Sequence, residues 1–249
     1  MKVKSILVSQ PEPSAENNPY AALAAKHKIK IDFRPFIKVD GVPAADFRRD
    51  KVNPGAFSSV IFTSKNAVDH YFRICQEMRV EVNAEWKYYC VSEAVAFYLQ
   101  KFVQYRKRKI YPAKGTLEDL IPTLKKHKDE HFLFPTSDIW KDDIPALLDA
   151  NKLKYTRAIL FRTVASDLSD LAEVKYDILA FFSPEGIRSL FKNFPDFVQN
   201  ETRIAAFGSS TQQAARDLNL RLDIPVPTPE APSMTSALDL YVKEANKGK

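Results

Sequence analysis

The sequence predicts an α/β protein built on doubly wound parallel sheets, and three observations carry that reading. Short apolar runs recur along the chain, each entering a polar turn and then a segment with apolar residues at three- and four-residue spacing. Apolar runs without polar alternation belong to parallel strands covered on both faces by helices. The second observation is repetition. VIFTSKNAV at 60–68 and AFFSPEGIR at 180–188 share one pattern, with Phe182 falling 120 positions after Phe62. YYCVSEAVAF (88–97) aligns with IAAFGSSTQQ (204–213), placing Val95 opposite Thr211 at an offset of 116. KIKIDFRPFIKV (28–39) aligns with KLKYTRAILFRTV (152–164), placing Ile29 opposite Leu153 at an offset of 124. The third observation is composition: 249 residues, 45% apolar and 27% charged, suffice for two cores and lack the bias of a disordered tail. Three similar offsets imply two copies of one α/β unit, and a duplicated unit is expected to hold its ligand between the copies.

The elements follow in chain order. Ser5 to Val8 reads as the first strand; lysines precede a short apolar run, but no small-residue cleavage site follows, so the segment is not a signal peptide. Val60 to Thr63 is the next apolar strand, and Val68, Tyr71, Phe72 and Cys75 mark one face of the helix after it. Tyr88 to Val91 is another strand. Ile178 to Ser183 leads into a helix with Ile187, Leu190, Phe191 and Phe194 on one face, and Ile204 to Gly208 into one marked by Ala214, Ala215 and Leu218. Alternation of this kind defines an open doubly wound sheet.

Composition also excludes functions. With six glycines and neither G-x-G-x-x-G nor G-x-x-x-x-G-K-[ST], dinucleotide and triphosphate sites lose support. Four dispersed histidines show no ligand spacing, so no metal site is expected. Cys75 and Cys90 sit in apolar surroundings and read as reduced core thiols of a cytoplasmic protein. No segment has the length of a membrane span, and none is expected to bind a membrane. The net charge of +6 suits a polyanion. Its one dense run, Arg106 to Lys109, lacks a recognition helix, zinc module or aromatic platform, so nucleic acid is not the expected partner.

The turns carry the sharper signal. Ser183 is placed as an N-cap, Pro184 suits the first helical position, and Glu185 and Gly186 complete a turn whose small residue admits close approach to backbone amides. Thr63, Ser64 and Asn66 form a comparable turn with Lys65 adding a cation. Gly208, Ser209, Ser210 and Thr211 place a glycine and three hydroxyls at a helix start, where unpaired N–H groups and the helix dipole attract carboxylate or phosphate. Hydroxyl residues also cap their own helices, which competes with ligand binding at each turn. All these turns follow carboxyl ends of parallel strands, where open α/β sheets bind ligands.

At these residues the chain resembles the uroporphyrinogen-III synthase family. The resemblance rests on IFTSKNAV, FFSPEGI and AAFGSSTQQAA, with a weaker PTPEAPSMTSALDLYV, in the family's order and spacing. It implies two interleaved domains: residues near 1–35 plus 165–249 form one, and residues near 38–160 the other. A two-stranded β-ladder joins them, near 34–37 and 159–163. It further implies a hydro-lyase that converts hydroxymethylbilane into uroporphyrinogen III in haem and tetrapyrrole biosynthesis, without a cofactor. The implied protein is a monomer, with transient contact to hydroxymethylbilane synthase. A tyrosine common at the ladder, thought to assist loss of the hydroxyl, is Phe161 here, and the usual glycine and threonine of another turn are Ser92 and Val95. Acid assistance is then dispensable, or supplied by Thr211, Tyr111 or water, or this copy is impaired. The alternative expectation is a non-catalytic two-domain binder of an anionic metabolite.

Overall fold

A computed structural model describes residues 2–140 and 143–247. The apolar runs become strands, in the order β1 (Ser5–Val8), α1 (Pro19–His27), β2 (Lys30–Phe33), β3 (Ile37–Gly41), α2 (Ala44–Phe47), β4 (Ser59–Phe62) and α3 (Lys65–Glu77). Next come β5 (Lys87–Cys90), α4 (Glu93–Leu99), β6 (Ile110–Pro112), α5 (Leu117–Lys125), β7 (His131–Ser137), α6 (Asp143–Ala150) and β8 (Lys154–Ala165). The chain ends with β9 (Ile178–Phe181), α7 (Pro184–Asn193), β10 (Arg203–Phe207), α8 (Ser209–Asp217), β11 (Leu222–Val226) and α9 (Met234–Asn246). It divides into one unit made of residues up to Lys38 together with those from Val164, and a second spanning Val39–Thr163.

The first unit holds a sheet ordered β11-β10-β9-β1-β2, whose neighbours all pair in parallel. Strand alternation sorts its residues onto two helical layers. Ile6 and Val8 pack with Leu23 of α1 and Leu238 of α9, whereas Leu7 packs with Ile187 of α7 and Ala215 of α8. Both faces are thus apolar, which is why these strands read as unbroken apolar runs. The second unit holds β3-β8-β7-β4-β5-β6, with β8-β7-β4-β5-β6 parallel throughout.

The strand β3 lies beside β8, and the amides of Val42 and Ser166 donate to the carbonyls of Leu160 and Phe36, the progression of an antiparallel pair. This pair begins later than the expected 34–37. Pro35 offers no amide to a ladder, and β3 starts only at Ile37.

Two further expectations are corrected. Ser64 and Ser183 occupy the same capping position, which aligns Phe62 with Phe181, so the two turns correspond at an offset of 119 and not 120. Accordingly β4, β5, β9 and β10 stop at Phe62, Cys90, Phe181 and Phe207, one or two residues short of the expected ends. The third repeat has the opposite sense. Lys28 and Lys152 both take φ 54° and both precede a strand, yet β2 belongs to the first unit and β8 to the second. Position by position, β2-β1-β9-β10-β11 matches β8-β7-β4-β5-β6. The two sheets therefore share one spatial order with a different order along the chain.

Candidate functional site

The start of α8 differs from those of α3, α4 and α7, which also follow strands. Gly208 is its N-cap, with φ 84° and ψ 151° and no side chain to cap the helix. Its own amide donates to Val226 O at 2.7 Å, and its carbonyl accepts from Gln212 N at 3.0 Å, so the turn is fixed at both ends. Among the described residues, the amides of Ser209, Ser210 and Thr211 meet no protein acceptor. No acidic residue stands in this first turn, and a Cβ built on Gly208 would meet nothing within 4 Å. Ser209 and Ser210 are exposed, whereas Thr211 is 1% exposed. Unpaired donors at the positive end of a helix, beside open space, form an anion-binding geometry.

The other turns offer less. At α7, Ser183 Oγ accepts from Gly186 N at 3.1 Å and Pro184 has no N–H, which leaves the amide of Glu185 as the first-turn donor. The Glu185 carboxylate is held by Arg188 at 2.9 Å. Gly186 does not admit a ligand to its amide: it is buried, with Phe181 and Ser183 within 3.5 Å of where a Cβ would sit. At α3, Ser64 Oγ accepts from Ala67 N at 3.1 Å and leaves the amides of Lys65 and Asn66. Thr63, the residue after β4, and Asn66 stand on that same turn. Ser92 caps α4 in the same way, through Val95 N at 3.3 Å. Capping therefore accounts for the hydroxyls of Ser64, Ser92 and Ser183, and of these four helix starts the naked one is α8.

Sequence reasoning did not assign the rings beside these turns. Phe182 and Phe207 follow and end β9 and β10, and their centroids lie 6.1 Å apart at 26°. Phe207 is 37% exposed, so a flat apolar surface adjoins the free amides. Their positions flanking Ser183 and Gly208 were the signal available in the sequence.

Phe161 lies on β8, 7% exposed, within the core of the second unit, its ring 5.0 Å from His70 at 19°. Burial lowers the His70 pKa, and the neighbouring Arg73 lowers it further. Arg73 Nη2 also donates to Val42 O at 2.8 Å and Leu160 O at 3.1 Å, fastening α3 to β8 next to Phe161. The Tyr111 hydroxyl is committed to Arg108 O at 2.7 Å, which removes it as a free acid. Burial pushes the Cys75 thiol up to about 11 and that of Cys90 up to about 12, so neither is a nucleophile near neutrality.

Among the described residues no group of three or more His, Cys, Asp or Glu could hold a metal, and no helix is long and apolar enough to cross a membrane. Two hollows lie away from the strand-end turns. One of ≈ 860 Å³ in the first unit is lined by Leu179, Leu190 and residues 193–202, and one of ≈ 240 Å³ in the second by Trp86, Tyr88 and Phe102. None of the turn residues lines either.

Two doubly wound units built on parallel sheets, one of them with an uncapped, glycine-started helix after a strand, define the class of this protein as α/β. The family model described as uroporphyrinogen-III synthase HemD matches residues 18–236, and the chain belongs to that family. A relative from Saccharomyces cerevisiae (strain ATCC 204508 / S288c), a uroporphyrinogen-III synthase, is 24% identical over 139 residues, 50% of this chain and 50% of its own length. The match thus spans half the length of that curated relative. Among solved structures, the uroporphyrinogen-III synthetase of Helicobacter pylori 26695 superposes with TM-score 0.59 at 18% identity, covering 97% of this chain and 99% of that one. A mutant uroporphyrinogen III synthase of the extremely thermophilic bacterium Thermus thermophilus gives 0.53 at 14% identity, covering 99% and 100%. These likenesses show the two-domain α/β fold.

Proposed function

We propose that the protein is a hydro-lyase that cyclises hydroxymethylbilane, with inversion of the last ring and loss of water, to uroporphyrinogen III. The observation that carries this reading is family membership across residues 18–236. The naked start of α8, with the Phe182–Phe207 pair beside it, supplies what a chain of carboxylate-bearing pyrroles needs: amide donors and a flat apolar surface. The +6 charge favours such a polyanion.

In the proposed reaction, the ring nitrogen of the first pyrrole pushes out the hydroxyl as water, leaving an electrophilic azafulvene. The substituted α-carbon of the terminal pyrrole attacks it and forms a spiro intermediate. Its original bond to the neighbouring ring breaks, the other α-carbon recloses the macrocycle, and that carbon gives up the proton that balances the lost hydroxide. No electrons are exchanged, and the proposal invokes no cofactor. The protein's work is to hold the chain so that these atoms meet and to suppress simple closure without inversion. Binding by backbone amides suits that work, since it orients carboxylates without a dedicated acid.

The test couples the protein to hydroxymethylbilane synthase and resolves type III from type I product after oxidation. Type III formation above the uncatalysed type I background is the expected result. Product that stays type I while the substrate binds would instead favour the non-catalytic binder.

A further inference from the structure

We infer that the second unit carries a separate site for a single aromatic ring bearing a carboxylate, in the hollow bounded by Trp86, Tyr88, Phe102, Ile110, Arg106 and Lys109. The hollow measures ≈ 240 Å³. Sites for drug-sized ligands run to about 300–1,000 Å³, so this one suits one ring with a short substituent. Its walls are aromatic and held in place. Trp86 and Tyr88 are 8% and 3% exposed, and the half-open Phe102 ring is stacked on Phe72 at 4.5 Å and 2°.

A pair of cations selects the ligand. At the mouth, Lys109 Nζ lies 2.7 Å from one oxygen of Glu85 and Arg106 Nη1 lies 3.3 Å from the other, so two cations grip one carboxylate. That carboxylate is 68% exposed and leaves the trio with a surplus positive charge. Glu85 thus shows how the pair holds a carboxylate, and its exposure makes it displaceable. A neutral apolar ligand would leave this charge unused, while nucleic acid would need a longer free basic tract than the turn provides.

The site stands apart from the strand-end turns. Trp86 precedes β5 and Lys109 precedes β6, at the amino ends of strands, whereas the turns described above follow carboxyl ends. The inference is therefore independent of the proposed reaction.

The experiment uses the full chain with Trp140→Phe, which leaves Trp86 as its single tryptophan. Fluorescence titrations at fixed ionic strength compare benzoate, benzamide and cyclohexanecarboxylate, and ligand-observed NMR on the unaltered chain gives the same comparison should that variant fold poorly. Saturable benzoate binding is expected, at least tenfold tighter than either comparison ligand. Arg106→Gln with Lys109→Gln should weaken it at least tenfold, and Glu85→Gln should tighten it by removing the internal competitor. Absence of saturation, equal binding of benzoate and benzamide, or an affinity untouched by the double substitution would overturn the inference.

Discussion

Thr211 places a hydroxyl in the first turn of α8, but the residue is 1% exposed, so that hydroxyl does not reach a ligand. Thr211→Ala should therefore change binding by less than about 1 kcal/mol, below the size of one hydrogen bond, and leave turnover measurable. Thr211→Val separates packing from polarity, because it keeps the branched shape and removes the oxygen. The coupled assay reads both; complete inactivity of Thr211→Val would give the hydroxyl a larger part than this geometry allows. Phe161 presents the reverse case, a ring without an oxygen. Phe161→Tyr adds that oxygen to a ring already stacked on His70. If a phenol here assists departure of the hydroxyl, the gain falls on turnover and not on affinity, since the donor acts in the transition state. A tenfold rise corresponds to about 1.4 kcal/mol. Should the oxygen be sealed in the core, it would lower stability by about 1–3 kcal/mol with no gain in turnover. Thermal denaturation beside kinetics distinguishes the two outcomes, and the second would end the case for an acid at this position.

The starts of α3, α7 and α8 look alike in sequence because each joins a strand to a helix through small or hydroxyl residues. Local chemistry made the capped helices legible, since Ser at an N-cap is read directly from the residues. How many amides remain free was not legible: that depends on whether the serine turns back onto its own helix, as Ser183 and Ser64 do. Gly208 was readable for a physical reason, because it lacks a capping side chain. Its φ 84° and ψ 151° lie where essentially glycine alone is stable. Gly208→Val should therefore abolish turnover, with about 1–3 kcal/mol of strain added by the backbone. Ser183→Ala should cost about 1 kcal/mol of stability and leave turnover near the parent level, as α7 has little to offer a ligand. Full activity in Gly208→Val would remove α8 from the site. A second element-scale prediction concerns the amino ends of β4, β5 and β7, where Glu130 accepts from Lys87, Ser59 and Tyr89. Burial alone would raise its pKa, but those hydrogen bonds outweigh burial and hold it below the usual carboxylate value. A depressed folded pKa contributes stability above the unfolded value, about 4.3, and that contribution is lost as pH falls through the folded pKa. Chemical denaturation across acidic pH should show the loss in the parent and a flatter profile in Glu130→Gln. Parallel profiles would show that the network carries no linked proton.

Across the whole chain, duplication was legible from matching strand-and-turn patterns, but its permutation was not. The strands β2 and β8 hold the same place in their sheets, as β9 and β4 do, and the similar offsets conceal that the first copy belongs to a different unit in each case. Connecting lengths produce such offsets; only strand pairing reveals the order. The same pairing bears on autonomy. Every buried residue of the second unit's core cluster, from Val42 to Phe161, falls within Val39–Thr163, and both clusters of the first unit lie outside that segment. A unit that owns its core can fold alone. Residues 39–163 expressed by themselves should therefore unfold cooperatively on heating and keep native near-ultraviolet circular dichroism. The first unit needs both of its segments, because β1 sits between β9 and β2 in one sheet. Its cut ends are already adjacent, since Ser166 N donates to Phe36 O at 2.9 Å. Joining Lys38 to Val164 through a short Gly/Ser linker should thus give a second folded domain at little cost in loop-closure entropy. Neither piece should form type III product, because the family match across residues 18–236 draws on both units. Broad, non-cooperative melting of both pieces would show that the division by contacts is not a division of stability, and a piece that alone makes type III product would confine the site to that unit.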